Sequence, residues 1–148
     1  MNYISREIVL LEVPGEISLG YSITGCNMRC PGCHSPDLWS AKNGILLTDA
    51  IVTADLNSNL PYVTCLLFFG GEWCQDELIS KLKIAQHKNL ATCLYTGNDI
   101  ENIPYTILQN LTYIKHGRYI QEKGGLGQRT TNQRLINLKT GEDLTRKF

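Results

Sequence analysis

A seven-residue run, Val63-Thr-Cys-Leu-Leu-Phe-Phe69, is almost wholly apolar and stops at Gly70-Gly71. A strand of that composition has no face to offer water, so it belongs inside a sheet covered on both sides, the usual condition of parallel sheets. Ala91-Thr-Cys-Leu-Tyr95 repeats the pattern and stops at Thr96-Gly97. Between the two, Gln75 to Lys88 spaces Leu78, Ile79, Leu82 and Ala85 as one helical face. Ile17 to Ile23 reads as a strand running into a Thr24-Gly25 turn, and Glu7 to Glu12 as an earlier strand turned by Pro14-Gly15. Thr48-Asp49 predicts a helix start for a segment reaching about Leu56, because short oxygen side chains cap orphan amides. A short helix is expected at Pro104 to Gln109, with strands at Leu111 to Lys115 and Arg134 to Leu138. Strand and helix thus alternate, which predicts one α/β domain over residues 1–148 with right-handed crossovers and a mainly parallel sheet.

A chain of 148 residues can bury a core without disulfides. Its 14 basic and 14 acidic side chains cancel, leaving no global field to recruit nucleic acid or an anionic membrane. No apolar run reaches membrane-span length and the first residues lack a signal-peptide core, so the expectation is a cytoplasmic protein with neither nucleic acid nor membrane as partner.

Cys26, Cys30 and Cys33 fall within one loop, C-N-M-R-C-P-G-C. Three thiolates at C-x3-C-x2-C can close on one inorganic cluster, yet a four-iron cubane needs four ligands. The spacing therefore leaves one iron open to a small molecule. Zinc is the rival, with His34 as a fourth donor. Structural zinc usually takes two separated ligand pairs, and the second pair is missing. A fourth cysteine from Cys65, Cys74 or Cys93 would instead complete an electron-transfer cluster. The favoured reading of those three is reduced, packed thiols, with Cys74 nearest a candidate ligand loop.

The motifs share an address. The cysteine loop, Gly70-Gly71-Glu72, Thr96-Gly97 and Lys115-His116 all follow proposed strands, and in parallel α/β folds those strand ends form one ligand-binding rim. Glycines there let a ligand approach the backbone, Glu72 could pair with an amine, and Lys115 could meet a carboxylate. Each has a plain alternative: a solvated glutamate, a snorkelling lysine, and surface roles for His34 and His116. Gly124 to Gly127, with the polar stretch to Arg134, reads equally as a lid, a docking loop or an ordinary surface loop.

These residues resemble the radical S-adenosylmethionine enzymes, through Cys26/Cys30/Cys33 and Gly70-Gly71-Glu72. The resemblance is closer to the small activating proteins of anaerobic ribonucleoside-triphosphate reductase, through Gly25 to His34, Asp37-Leu-Trp39, Tyr95-Thr-Gly97 and Thr130-Thr-Asn-Gln-Arg134, and it spans Ile17 to Leu138. It implies an open partial (β/α) barrel, since the chain is short of the roughly 200 residues of a full one. It also implies a 4Fe–4S cluster on Cys26, Cys30 and Cys33, with S-adenosylmethionine on the fourth iron. Gly70, Gly71 and Glu72 would hold the methionine amino group, with Thr96 and Gly97 beside the cofactor and Lys115 as a carboxylate contact. The implied product is a 5′-deoxyadenosyl radical that takes hydrogen from a glycine of the reductase's glycyl-radical subunit. The electron would come from a low-potential donor such as flavodoxin. One departure is Gly32, where many members carry an aromatic residue before the third cysteine. Other functions stay open: activation of another glycyl-radical enzyme such as a formate-lyase relative, a radical enzyme acting on a small molecule such as a nucleobase precursor, or a non-catalytic zinc or iron–sulfur binding module.

Overall fold

The computed structural model describes residues 1–148. Seven strands form one sheet: β1 (Asn2–Val9), β2 (Ser18–Ile23), β3 (Ile45–Leu46), β4 (Cys65–Phe69), β5 (Ala91–Tyr95), β6 (Tyr113–His116) and β7 (Arg134–Asn137). Their spatial order is β3-β1-β2-β4-β5-β6-β7. The inner strands β2, β4, β5 and β6 are mutually parallel, and β1 and β7 flank them antiparallel. β3 pairs only with β1, so the sheet is open, with β3 and β7 as its unjoined edges. This is the expected open α/β architecture with a mainly parallel sheet.

Three helices connect the parallel strands: α1 (Asp49–Asn59), α2 (Gln75–His87) and α3 (Tyr105–Leu108). Thr48 caps α1 as its chemistry predicts, its Oγ1 accepting from the Ile51 amide at 3.2 Å. The helices cover one face. Leu19, Tyr21 and Ile23 of β2, Leu66 and Phe68 of β4, Leu94 and Ile114 form one core with Val52, Leu56, Leu78, Leu82 and Ile107. Tyr21 stacks on Phe68 at 5.8 Å between ring centres, and its hydroxyl donates to Asp55 Oδ2 at 2.6 Å, which satisfies a buried polar tip. Lys81, 3% exposed, ties α2 to α1 through Asp49 Oδ1 at 2.9 Å.

Side chains alternate across a strand, so the opposite face receives Cys65, Leu67, Cys93 and Leu135, covered by Val13 and Leu144. β4 and β5 thus show why their sequences lack a polar face. The first strand departs from expectation: it occupies Asn2–Val9, not Glu7 to Glu12. Leu10 and Leu11 are 62% and 80% exposed, so their apolar character does not mark a buried strand end. The strand expected at Leu111 to Lys115 begins two residues later, at Tyr113. No helix is long and apolar enough to cross a membrane.

Candidate functional site

The strand ends do share one rim. β2 stops at Ile23, and Thr24 is buried with its hydroxyl donating to the carbonyls of Asn2 and Ala41. The amides of Gly25 and Cys26 both donate to the Leu38 carbonyl, at 2.7 and 2.9 Å, so the next turn straps the cysteine loop in place. Cys30 is buried, Cys26 and Cys33 are half-buried, and all three are free thiols. Burial pushes the Cys26 thiol up, while the amides of Met28 and Arg29 oppose that shift by approaching its sulfur. The Ser35 amide donates to Cys33 Sγ at 3.4 Å. Amide hydrogens turned on sulfur favour the thiolate form that metals bind.

Gly32 has a physical reason to be glycine. Its φ is +70°, and a Cβ there would lie 2.4 Å from Gln121 Oε1. The space a side chain at this position would enter belongs to Gln121.

After β4, Gly70 and Gly71 adopt φ of +85° and +110°, a region other residues rarely enter. The turn delivers Glu72. Its Oε1 accepts from Thr96 Oγ1 at 2.5 Å and from Asn98 Nδ2 at 2.9 Å. Its Oε2 is buried without a hydrogen-bond partner. Burial pushes the Glu72 carboxyl upward, against the pull of those hydrogen bonds. An orphaned buried carboxylate oxygen is costly unless something positive or hydrogen-bonding meets it.

A cavity of about 110 Å³ joins these segments, with Cys26, Cys33, Gly70, Glu72, Thr96 and Gly97 in its wall. Lys115 is not in it. That lysine lines a neighbouring cavity of about 430 Å³ with Cys33, His34, Tyr95 and Tyr119, and Cys33, Ser35 and Tyr95 form the wall the two cavities share. Desolvation pushes Lys115 down to about 8, partly offset by the nearby Cys30 and Cys33. Its Nζ sits 5.8 Å from the Tyr95 ring centre. His116 lines neither of these two cavities.

The remaining cysteines take packing roles. Cys65 and Cys93 are fully buried on the sheet, and burial pushes the Cys65 thiol up to about 12 and Cys93 well above its ordinary value. Cys74 sits at the start of α2, half-buried against the helix-side core. His34 does not join the thiols: its Nε2 meets the Tyr119 hydroxyl at 3.2 Å. No three His, Cys, Asp or Glu side chains stand together as donors to a single ion. The loop after β6 rests on the cysteine loop, with Arg118 Nη2 donating to the Met28 carbonyl at 3.2 Å.

Sequence reasoning missed Asn98, Tyr119 and Gln121. Only Asn98 left a signal, two residues past Thr96 at a strand end, where its amide also donates to Thr96 Oγ1. As a donor set, three thiols on one amide-rich loop suit a cluster with one open iron, and the unpartnered Glu72 Oε2 suits an ammonium beside it.

Residues 14–136 match a family described as the 4Fe-4S single cluster domain. The chain belongs to that family. All three cysteines and the Glu72 and Lys115 segments lie within the matched 4Fe–4S region. Over 118 residues the chain is 33% identical to the pyruvate formate-lyase-activating enzyme of Clostridium pasteurianum, covering 72% of this chain and 49% of that protein. The chain therefore spans about half the length of this curated relative.

Proposed function

We propose that this chain is a radical S-adenosylmethionine activase, one that sets a glycyl radical on a partner protein. The observation that carries the reading is Glu72, whose Oε2 is buried without a partner and which lines one cavity with Cys26 and Cys33. Cys26, Cys30 and Cys33 would hold a 4Fe–4S cluster. Gly70 and Gly71 clear the approach to the backbone, and Glu72 takes the amino group of S-adenosylmethionine. Thr96 and Asn98 fix the Glu72 rotamer by holding Oε1, which leaves Oε2 without a partner of its own. Gly97 keeps that wall low, and Lys115 takes the carboxylate from the Cys33 side. When bound, the two groups supply reductive cleavage of the sulfonium to methionine and a 5′-deoxyadenosyl radical, using an electron from a low-potential donor such as flavodoxin.

The protein's part is to bind, orient and keep water away. Lys115 meets its ligand already desolvated, so little water has to leave when the carboxylate arrives. The cavity beside Cys33 is also walled by Leu11, 80% exposed, and Phe148, 40% exposed, which suits entry of a loop from another protein.

The proposed partner is the glycyl-radical subunit of anaerobic ribonucleoside-triphosphate reductase, supported by the likeness over Tyr95-Thr-Gly97 and Thr130 to Arg134. A second reading, favoured by the name of the Clostridium relative, is a partner of the pyruvate formate-lyase kind.

Anaerobic reconstitution with iron and sulfide, then low-temperature EPR with and without S-adenosylmethionine, tests the activase reading. A cubane signal that changes on addition is expected. A signal indifferent to S-adenosylmethionine, or tightly held zinc without sulfide, would leave a binding module. Offering both partner enzymes to the reduced protein separates the two targets by which one acquires the glycyl radical doublet.

A further inference from the structure

Past β7 the chain folds back against the loop that precedes it, and between them lies a cavity of about 640 Å³. Its wall carries three guanidiniums, Arg129, Arg134 and Arg146, against one carboxylate side chain, Asp143. That carboxylate is already engaged. Asp143 Oδ1 accepts from the Thr145 amide at 2.8 Å, and Oδ2 lies 3.7 Å from Arg134 Nε. Arg134 also donates through Nη1 to the carbonyls of Thr131 and Gln133, which pins its fork within the hairpin. Arg129 and Arg146 are in none of the chain's ion pairs, which involve Met1, Arg6, Lys81, Arg134 and Lys147 as the cations. Arg129 and Arg146, two arginines outside any direct ion pair, thus line one cavity next to a third.

Guanidinium forks match phosphoryl and carboxylate oxygens in pairs, and several together on a concave surface favour a multiply charged anion. Thr131 and Thr145 belong to the same wall, their hydroxyls bonded to the backbone of Gly124, Gln133 and Leu135, which holds the wall together. The volume lies within the range of small-ligand sites, roughly 300–1,000 Å³. Only Leu126 and Phe148 are apolar, enough for one flat face of a ligand.

We propose that this cavity binds an organic polyphosphate. Its phosphoryl oxygens lie on Arg129 and Arg146, with Arg134 adding positive charge beside them, and its apolar body lies against Leu126 and Phe148. The site stands apart from the proposed radical chemistry and does not depend on it. It is nonetheless a neighbour: Leu126 and Phe148 also line the cavity that holds Cys33 and Lys115, so an occupant on the arginine side shapes a wall of the cluster side.

Isothermal titration calorimetry of the full chain with ATP, inorganic tripolyphosphate and adenosine tests the assignment. ATP and tripolyphosphate should bind saturably and more weakly as salt rises, while adenosine should not bind. The double variant Arg129→Ala/Arg146→Ala should weaken both anions by about tenfold or more, ~1.4 kcal/mol. Arg134 is left in place because it braces the hairpin, and an unchanged melting temperature shows that the double variant remains folded. Phe148→Ala should weaken ATP and spare tripolyphosphate. Absence of saturable ATP binding, or binding that survives loss of both arginines, would overturn the site. Equal losses of ATP and tripolyphosphate on Phe148→Ala would overturn the apolar contact and with it the organic ligand.

Discussion

The two faces of the sheet are made by the same strands and are used differently. The helix-side face gathers nineteen buried residues into one cluster, while the opposite face gathers six, so most of the burial energy belongs to the first. On the opposite face the strands also present Phe69, Tyr95 and Tyr113 half-buried, with Lys115 among them at the rim. Alternation within a five-residue strand such as β4 therefore separates stability from chemistry by a single peptide bond. Phe68 belongs to one and Phe69 to the other.

The largest expected effect tests the first face. Phe68→Ala should destabilise the metal-free chain by about 3–5 kcal/mol in urea titration, because it removes a fully buried ring stacked on Tyr21. Loss of less than about 1 kcal/mol would show that the helix-side core does not govern stability.

The cysteines sharpen the same contrast. Alanine at Cys26, Cys30 or Cys33 should abolish cluster loading, read as iron and acid-labile sulfide per chain, and move metal-free stability by no more than about 1 kcal/mol. Cys93→Ala should do the reverse: keep the cluster and lose about 1 kcal/mol, as deletion of a small buried group does. A loading defect in the Cys93 variant would break the division.

Glu72→Gln should remove the S-adenosylmethionine-dependent change in the EPR signal and leave the melting temperature at pH 7 no lower than that of the parent. The sign follows from its raised pKa. Folding favours the protonated carboxyl, so stability falls as pH rises from the ordinary 4.5 to the raised folded value and stays lower above it, and a neutral isostere avoids that cost. A large drop in melting temperature would make Glu72 structural.

The effect that turns on pH alone concerns Lys115. Its folded pKa lies near 8 against an ordinary 10.5, so the folded chain binds fewer protons between those values. That contribution destabilises below about 8 and fades as pH rises towards 10.5. In the metal-free chain Lys115→Met should therefore be more stable at pH 7, by something on the order of 1–3 kcal/mol, with the gain shrinking in alkali. A gain independent of pH would assign it to packing.

β4 and β5 were legible because strands covered on both faces need unbroken apolar sequence, and β5 runs over Ala91–Tyr95 as read. β1 was not, because an outer strand with a wet face carries few apolar residues, and the most conspicuous ones nearby, Leu10 and Leu11, are exposed. The site divides in the same way. The cysteine spacing and the Gly70-Gly71-Glu72 turn are local chemistry and can be read off the chain. Asn98 reaches Glu72 only because β4 and β5 are neighbours, and Gln121 reaches Gly32 only because a distant loop folds over, so neither contact has a local signature.

The parallel register, with Cys65 beside Ala91 and Phe69 beside Tyr95, sets what changes of length this chain can survive. Deleting one residue inside Cys65–Phe69 would turn every later side chain of β4 to the other face and swing Glu72 away from Thr96. The same deletion among Glu122 and Lys123, both exposed, would shift only a loop. Insertions and deletions that divergence tolerates should therefore collect between β6 and β7, while the distance from strand to motif stays constant to the residue.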